Sequence, residues 1–197
     1  ASLHIDASGL IRLGDTLDDC LDNFNQLIIR AESLGGNIMI PTFSYSYTNG
    51  LPFIRLETPS EVGIVTEYLR RNNRFKRTAD GMFSYLLFNG DPKSRYFDMG
   101  NCNYEIFGDD SLVGELFKSD GYICSIGNVF HNTPTEVHFL ERLLSVRYRQ
   151  NKVIVGVFID DDGENHEQTL LFFCRDLELN LVPDMTRLES CLRRDNL

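Results

Sequence analysis

The segment from residue 13 to residue 36 constrains the fold more than any other. Its apolar side chains recur at the spacing of one helix face, at Leu17, Leu21, Phe24, Leu27 and Ile28. Asp15 or Thr16 can cap this helix, and Gly35 and Gly36 can end it. The apolar runs before it and after it, the second stopped by Pro41, are typical of short strands. Strand, helix and strand in this order predict a parallel βαβ unit.

Apolar residues at helical or strand-like spacing recur along the rest of the chain. We predict helices over 58–73, 110–121 and 134–149, strands within 82–90 and 121–127, a hairpin over 151–173, and a terminal helix from Asp184. In the first of these helices, Thr58 or Ser60 is the expected cap, Pro59 lies in the first turn, and three side chains face inward: Ile64, Val65 and Tyr68. In the helix over 134–149, the expected apolar stripe is Val137, Leu140 and Leu144. The predicted fold class is α/β, a single domain over 1–197 with a mixed central sheet flanked by helices.

Composition narrows the class of protein. The hydrophobic fraction of 42% and the charged fraction of 24% are ordinary for a soluble globular domain. No run of about 18 apolar residues predicts a membrane span, and the first residues do not resemble a signal peptide. Five widely spaced cysteines without a CxxC pair favour a reducing, cytoplasmic setting. A net charge of -10 argues against a nucleic-acid partner and favours a cationic small molecule such as an amine.

Common cofactor and nucleophile motifs are missing from the sequence. It contains no GxGxxG, no GxxxxGK[ST] and no GxSxG. The acidic stretch "DDDGEN" (160–165) lacks the ligand spacing of a calcium loop and is better explained as a hairpin turn. We therefore predict no metal site, although a hydrolase using a metal held by His131, His138 and Glu141 stays open as an alternative.

Five blocks of the chain together form a pattern: "IDASGLIRLG" (Ile5–Gly14), "GGNIMIPTFSYS" (Gly35–Ser46), "TPSEVGIVTEYLRR" (Thr58–Arg71), "FGDDSLVGELFKSDGYICSIG" (Phe107–Gly127) and "PTEVHFLE" (Pro134–Glu141). In this order, the blocks resemble the aminoglycoside 3-N-acetyltransferase family. The resemblance implies the fold of that family and transfer of an acetyl group from acetyl-CoA to an amine.

The chain also departs from the family pattern. Asp80 and Gly81 stand where the family has histidine and proline, although the serine that follows is kept as Ser84. In the first block, Asp6 and Ala7 replace histidine and serine. These changes make an amino sugar, either free or nucleotide-linked, a better expected acceptor than an aminoglycoside. They also leave open a non-catalytic member that binds a CoA-like or sugar ligand.

The fifth block contains the expected catalytic residues. An ammonium group has no lone pair, so acetyl transfer needs a base that removes a proton from the amine, and histidine suits this role near neutral pH. His138 and Glu141 are three residues apart and share a helix face, where the carboxylate can orient the ring. The resemblance assigns these two residues the catalytic positions. Thr135, at the start of the helix, is expected to stabilise the oxyanion.

The remaining expectations concern the two ligands. Ser8 and Gly9 lie in a loop that leads into a helix and can approach the CoA pyrophosphate. The resemblance places Thr42, Phe43, Ser44 and Ser84 along the cofactor path. Tyr45 and Asp80 are the expected substrate-binding residues, with a turn as the alternative role of Asp80. The expected partner is a small-molecule amine, and assembly with a second copy of the chain stays open.

Overall fold

The computed structural model describes residues 1–71, 75–88, 95–97, 102–127, 134–179, 181, 184 and 186. The strands are β1 (Ser2–Ile5), β2 (Ile38–Pro41), β3 (Phe53–Ile54), β4 (Lys76–Arg77), β5 (Tyr85–Phe88), β6 (Cys102–Glu105), β7 (Ile123–Ile126), β8 (Arg149–Ile159) and β9 (Asn165–Arg175). The helices are α1 (Ala7–Leu10), α2 (Leu17–Ser33), α3 (Ile64–Arg71), α4 (Leu112–Lys118) and α5 (Val137–Leu143), with 3₁₀ turns at Tyr45–Asn49 and Arg95–Phe97. Within this described part, no helix is both long and apolar enough to cross a membrane.

The strands form two mixed sheets flanked by helices, and the predicted α/β class with a mixed sheet is confirmed. The first has the order β4-β5-β2-β1-β7, with β1 parallel to β2 and β7, and β5 antiparallel to β2. The second has the order β3-β8-β9-β6, in which β8 and β9 are the predicted antiparallel hairpin. The predicted parallel βαβ unit is confirmed as β1-α2-β2.

Successive side chains along each strand of the first sheet point to opposite faces, so the sheet separates two apolar clusters. One face packs Ile40 and Leu86 against Phe24 and Ile28 of α2 and Leu69 of α3. The opposite face contributes residues such as Met39 and Tyr85 to the cluster that includes Phe158 and Leu170 of the second sheet and Phe139 of α5. The first sheet therefore lies between α2 and α3 on one side and the second sheet with α5 on the other.

Local signals explain why α2 begins and ends where it does. The Thr16 hydroxyl accepts from Asp19 N, and the Asp19 carboxylate accepts from Thr16 N, which forms a capping box. At the other end Gly35 adopts a φ of +79°, a conformation that favours glycine, and Gly36 N bonds to Ala31 O.

Two predicted helices differ from the observed ones. The first begins at Ile64 instead of near Thr58, because the Thr58 hydroxyl accepts from Ile54 N and Ser60 bonds to Thr66, which holds 58–63 in an irregular loop. Its inward residues are Val65 and Leu69, whereas Ile64 is 77% exposed and Tyr68 is also exposed.

The second helix, α5, ends at Leu143, well before the predicted 149. Leu140 and Leu144 are exposed, and the buried side chains are Phe139 and Glu141. The predicted stripe was therefore wrong because Phe139, rather than those two leucines, joins the core cluster. The predicted terminal helix lies almost entirely outside the described residues.

Candidate active site

Helix α5 brings His138 and Glu141 together. Phe139 is buried and stacks on Phe117 at a centroid distance of 4.9 Å, which fixes the rotation of this short helix. His138 then lies next to Glu141 one turn later, and its Nδ1 is 2.6 Å from Glu141 Oε2. The ring of His138 also packs edge-on against Phe107 at 5.2 Å. The two residues therefore form a directly bonded pair at the edge of the core.

Two residues that the sequence did not single out complete this cluster. The Tyr148 hydroxyl donates to Glu141 Oε1 at 2.8 Å, and Arg149 Nη2 lies 3.3 Å from His138 Nε2. Arg149 Nε is 2.6 Å from Glu141 Oε2 but is not aligned for a hydrogen bond, so this contact is an ion pair. Both residues follow the turn after α5, where the chain reverses into β8, and no local spacing indicates that they return to Glu141.

These contacts define the tautomer of His138. A guanidinium group only donates hydrogen bonds, so the nitrogen facing Arg149 must accept. Nε2 therefore has the lone pair, and Nδ1 has the hydrogen that it donates to Glu141. This is the tautomer in which a carboxylate orients a neutral imidazole and the opposite nitrogen can take a proton.

The environment keeps Glu141 ionised. Burial by itself would raise the pKa of Glu141, but the hydrogen bonds from His138 and Tyr148 and the charge of Arg149 together lower it. The pKa of Tyr148 is raised to about 12, first by burial and then by its hydrogen bond to this carboxylate. Tyr148 therefore remains a proton donor to Glu141 at neutral pH.

Two cavities adjoin this cluster. The larger, of about 730 Å³, is lined by residues that include Tyr45, Met82, Arg149, Lys152 and Phe172. The other, of about 590 Å³, is lined by Arg142, Arg149 and Phe173 among others. His138 lines neither cavity, but Arg149 lines both and contacts His138 Nε2, so this arginine connects the ring to the space available to ligands.

Three of the predicted cofactor residues meet in the interior around Arg77. Thr42, Ser44 and Ser84 are fully buried, and Arg77 donates to Ser84 Oγ at 3.0 Å, to Ser44 Oγ at 2.9 Å and to the Thr42 carbonyl. Phe43 is also buried and packs on Phe83. Ser44 N donates to the carbonyl of Met82, a cavity residue, so this cluster supports the cavity wall from behind.

Ser8 and Gly9 lie apart from this cluster. The Asp6 carboxylate accepts from the Ser8 hydroxyl at 2.7 Å and from Gly9 N at 2.8 Å, and so occupies the start of α1. A Cβ on Gly9 would lie 2.1 Å from the carbonyl oxygen of Ile126, so only glycine fits where α1 meets β7.

The two predicted substrate residues have different surroundings. Tyr45 lines the larger cavity and packs edge-on against Phe83. Asp80 is only 4% exposed, and its Oδ1 accepts from the backbone N–H groups of Met82 and Phe83. Burial raises the pKa of Asp80 to about 6, although these two hydrogen bonds act in the opposite direction. These contacts are those of a turn residue, the alternative role that the sequence allowed.

The start of α5 is anchored by a second buried network. Glu136 is fully buried and accepts a short hydrogen bond from the Ser2 hydroxyl, while His4 Nε2 lies 2.9 Å from its Oε2. Burial alone would raise the pKa of Glu136, but the contacts with His4 and Ser2 lower it. Thr135, half-buried beside it, accepts His138 N on its carbonyl at 3.0 Å. The 134-residue separation between Ser2 and Glu136 explains why the sequence did not reveal this network.

Among the described residues, no group of three His, Cys, Asp or Glu side chains could hold a metal ion. His131, which belongs to the alternative metal site, lies outside the described residues.

The sequence profile described as aminoglycoside 3-N-acetyltransferase matches residues 24–196, which identifies an N-acetyltransferase that depends on acetyl-CoA. The chain belongs to the aminoglycoside 3-N-acetyltransferase family. The match begins after the first of the five blocks, so that block is not part of it. Among curated protein sequences, none matches this chain.

Solved structures share the fold at low sequence identity. AAC-IIIb, solved as a binary complex with CoASH, is 18% identical with a TM-score of 0.65, covering 88% of this chain and 69% of that one. A histidine-to-alanine variant of AAC(3)-IVa in complex with apramycin is 18% identical with a TM-score of 0.63, covering 100% and 73%. The YokD protein from Bacillus subtilis is 16% identical with a TM-score of 0.63, covering 89% and 76%.

Proposed function

We propose that this acetyltransferase uses His138 as the general base and Glu141 as the residue that orients it. The observation that supports this role is the bonded His138–Glu141 pair, with the lone pair of Nε2 directed away from the carboxylate toward Arg149, which lines both cavities. An amine that hydrogen-bonds to Nε2 loses its proton to the ring as it attacks the thioester. The ionised Glu141 stabilises the imidazolium that forms.

Acetyl-CoA is the acetyl donor, as the family implies. We propose that its thioester end enters one of the two cavities lined by Arg149. Thr42, Ser44 and Ser84 then contribute by holding the wall behind Met82, since their hydroxyl groups are engaged inside the protein. Thr135 remains a proposed oxyanion donor, and Ser8 and Gly9 remain proposed contacts of the CoA phosphates.

The proposed acceptor is a small amine of the amino-sugar class, either free, nucleotide-linked or within an aminoglycoside. The family name and the neighbour bound to apramycin support the aminoglycoside option. The replacements at Asp80 and Gly81 support a different amino sugar. The single domain, the cytoplasmic location and assembly into a homo-oligomer also remain predictions, and sedimentation of the purified protein would test the last.

The test is acetyl-CoA turnover against a panel of aminoglycosides, amino sugars and nucleotide-linked amino sugars. His138→Gln is expected to lower kcat for the best acceptor by about 10²–10⁴, the usual contribution of a general base. His166→Gln is the matched control, because His166 also bonds a carboxylate, Asp160, but lies on the β8–β9 hairpin. Equal kcat in the His138→Gln variant and the native protein would refute the assigned base. Binding of acetyl-CoA without turnover of any acceptor would instead indicate a non-catalytic member.

A further inference from the structure

Arg149 is held rigidly beside the base. It is the first residue of β8, and its side chain is only 8% exposed. Its Nη1 donates to the Phe173 carbonyl at 3.1 Å, Nε pairs with Glu141 at 2.6 Å, and Nη2 meets His138 Nε2 at 3.3 Å. Three different partners therefore fix the plane of the guanidinium, with Nη2 directed at the base nitrogen.

Arg149 Nη2 lies where the reacting groups must meet, because the attacking amine gives its proton to His138 Nε2. The attacking amine must approach within about 3.2 Å of Nε2. The thioester carbon must lie about 3–3.5 Å from the amine nitrogen. The carbonyl oxygen is therefore within a few ångströms of the place that Nη2 occupies, and Arg149 also lines both cavities. An arginine in this position is charged and needs little movement to reach that oxygen.

We propose that Arg149 is a further catalytic residue that stabilises the oxyanion formed during acetyl transfer, an inference that rests on the proposed function. The amine lone pair forms the C–N bond, the carbonyl π electrons move to oxygen, and the amine proton passes to His138 Nε2. When the oxyanion collapses, the C–S bond breaks, and the departing thiolate takes the proton from the imidazolium. The products are the amide and the CoA thiol, and Arg149 keeps its protons throughout.

The Nη2–H group of Arg149 has a hydrogen-bond acceptor both in the free enzyme and during acetyl transfer. Before substrates bind, it donates to Nε2 and satisfies the lone pair of the base. When the amine takes that place, the N–H is released and becomes available to the oxygen on which negative charge develops. A hydrogen bond that forms only as this charge develops lowers the barrier and raises kcat, without tightening the binding of the ground state.

The test measures kcat and KM separately for Arg149→Gln and Arg149→Lys, with the acetyl-CoA Kd from calorimetry. Arg149→Gln is expected to lower kcat by about 10²–10³ with KM and Kd nearly unchanged, as for loss of one oxyanion donor. Arg149→Lys is expected to be intermediate, because lysine keeps the charge but not the planar fork. Added guanidinium should restore part of the kcat lost in Arg149→Ala. Arg30→Gln, an exposed arginine at the end of α2, is the matched control.

Native-like kcat in Arg149→Gln, or a loss confined to KM, would overturn the proposal for Arg149. If Arg149→Gln does not fold, Arg149→Lys gives the answer, because a folded lysine variant with unchanged kcat also contradicts it. These results leave the proposed function intact as long as His138→Gln shows its expected loss of kcat. If the native protein acetylates no amine in the panel, the proposed function and the role of Arg149 both fail.

Discussion

At the scale of single residues, Asp80 is a carboxyl group that folding makes harder to ionise. Burial raises its pKa to about 6 from the usual 3.8. The folded protein therefore binds this proton more tightly than the unfolded chain does. The resulting stabilisation is complete below pH 3.8 and is lost as the pH rises through about 6. At neutral pH the ionised carboxylate is thus a destabilising group.

We predict that Asp80→Asn raises stability at pH 8, because the amide oxygen can still accept from Met82 N and Phe83 N without a charge. The free energy of unfolding should rise by up to about 3 kcal/mol at pH 8 and change little at pH 4. Urea unfolding at both pH values measures this difference. Asp22→Asn, at an exposed position of α2, is the control. A variant less stable than the native protein at pH 8 would contradict the prediction.

At the scale of one element, α2 depends on its capping box. Thr16→Ala removes the hydroxyl that accepts from Asp19 N and so leaves a backbone donor of the first turn without its capping partner. We expect a loss of about 1 kcal/mol in the free energy of unfolding. Chemical denaturation measures it, and Asp22→Ala, in the interior of the same helix, should stay within about 0.5 kcal/mol. Equal losses in the two variants would argue against a specific role for the cap.

At the scale of the whole molecule, carboxyl groups with lowered pKa values and Asp80, whose pKa is raised, have opposite effects on how stability depends on pH. Hydrogen bonds from Arg70 lead the interactions that lower the pKa of Glu67 to about 2, and the pKa values of Glu136 and Glu141 are also lowered. A carboxyl with a depressed pKa in the folded state stabilises the protein above its ordinary pKa. That contribution is lost as the pH falls through the folded value. The protonation of Asp80 acts in the opposite direction between pH 6 and 4.

We therefore predict that stability is greatest at mildly acidic pH, at about pH 5, and falls on both sides. The urea midpoint, measured from pH 2.5 to pH 8, should pass through this maximum. In Glu67→Gln the urea midpoint should fall less steeply below pH 5. This variant lacks the Glu67 carboxylate, so it has no stabilisation from that group for acid to remove. A midpoint that keeps rising down to pH 3 would contradict the assignment.

The sequence by itself determined the features that depend on neighbours along the chain. The helical spacing, the cap at Thr16 and the glycines after α2 predicted the β1-α2-β2 unit, and the two strand-like runs around the acidic turn at 160–165 predicted the hairpin. The three-residue spacing of His138 and Glu141 was enough to place them on one face of a helix. These features rest on local periodicity and on hydrogen bonds within a few residues, which a sequence displays directly.

Only the tertiary structure decided which distant residues complete the site. Arg149 reaches His138 because the chain reverses after α5, and Ser2 and His4 reach Glu136 because β1 lies beneath the start of that helix. The buried side chain of Arg77, on β4, donates hydrogen bonds to three residues that are distant from one another in the sequence: Thr42, Ser44 and Ser84. Such contacts depend on strand order and on which apolar face is buried. These are properties of the packed whole that no repeat in the sequence encodes.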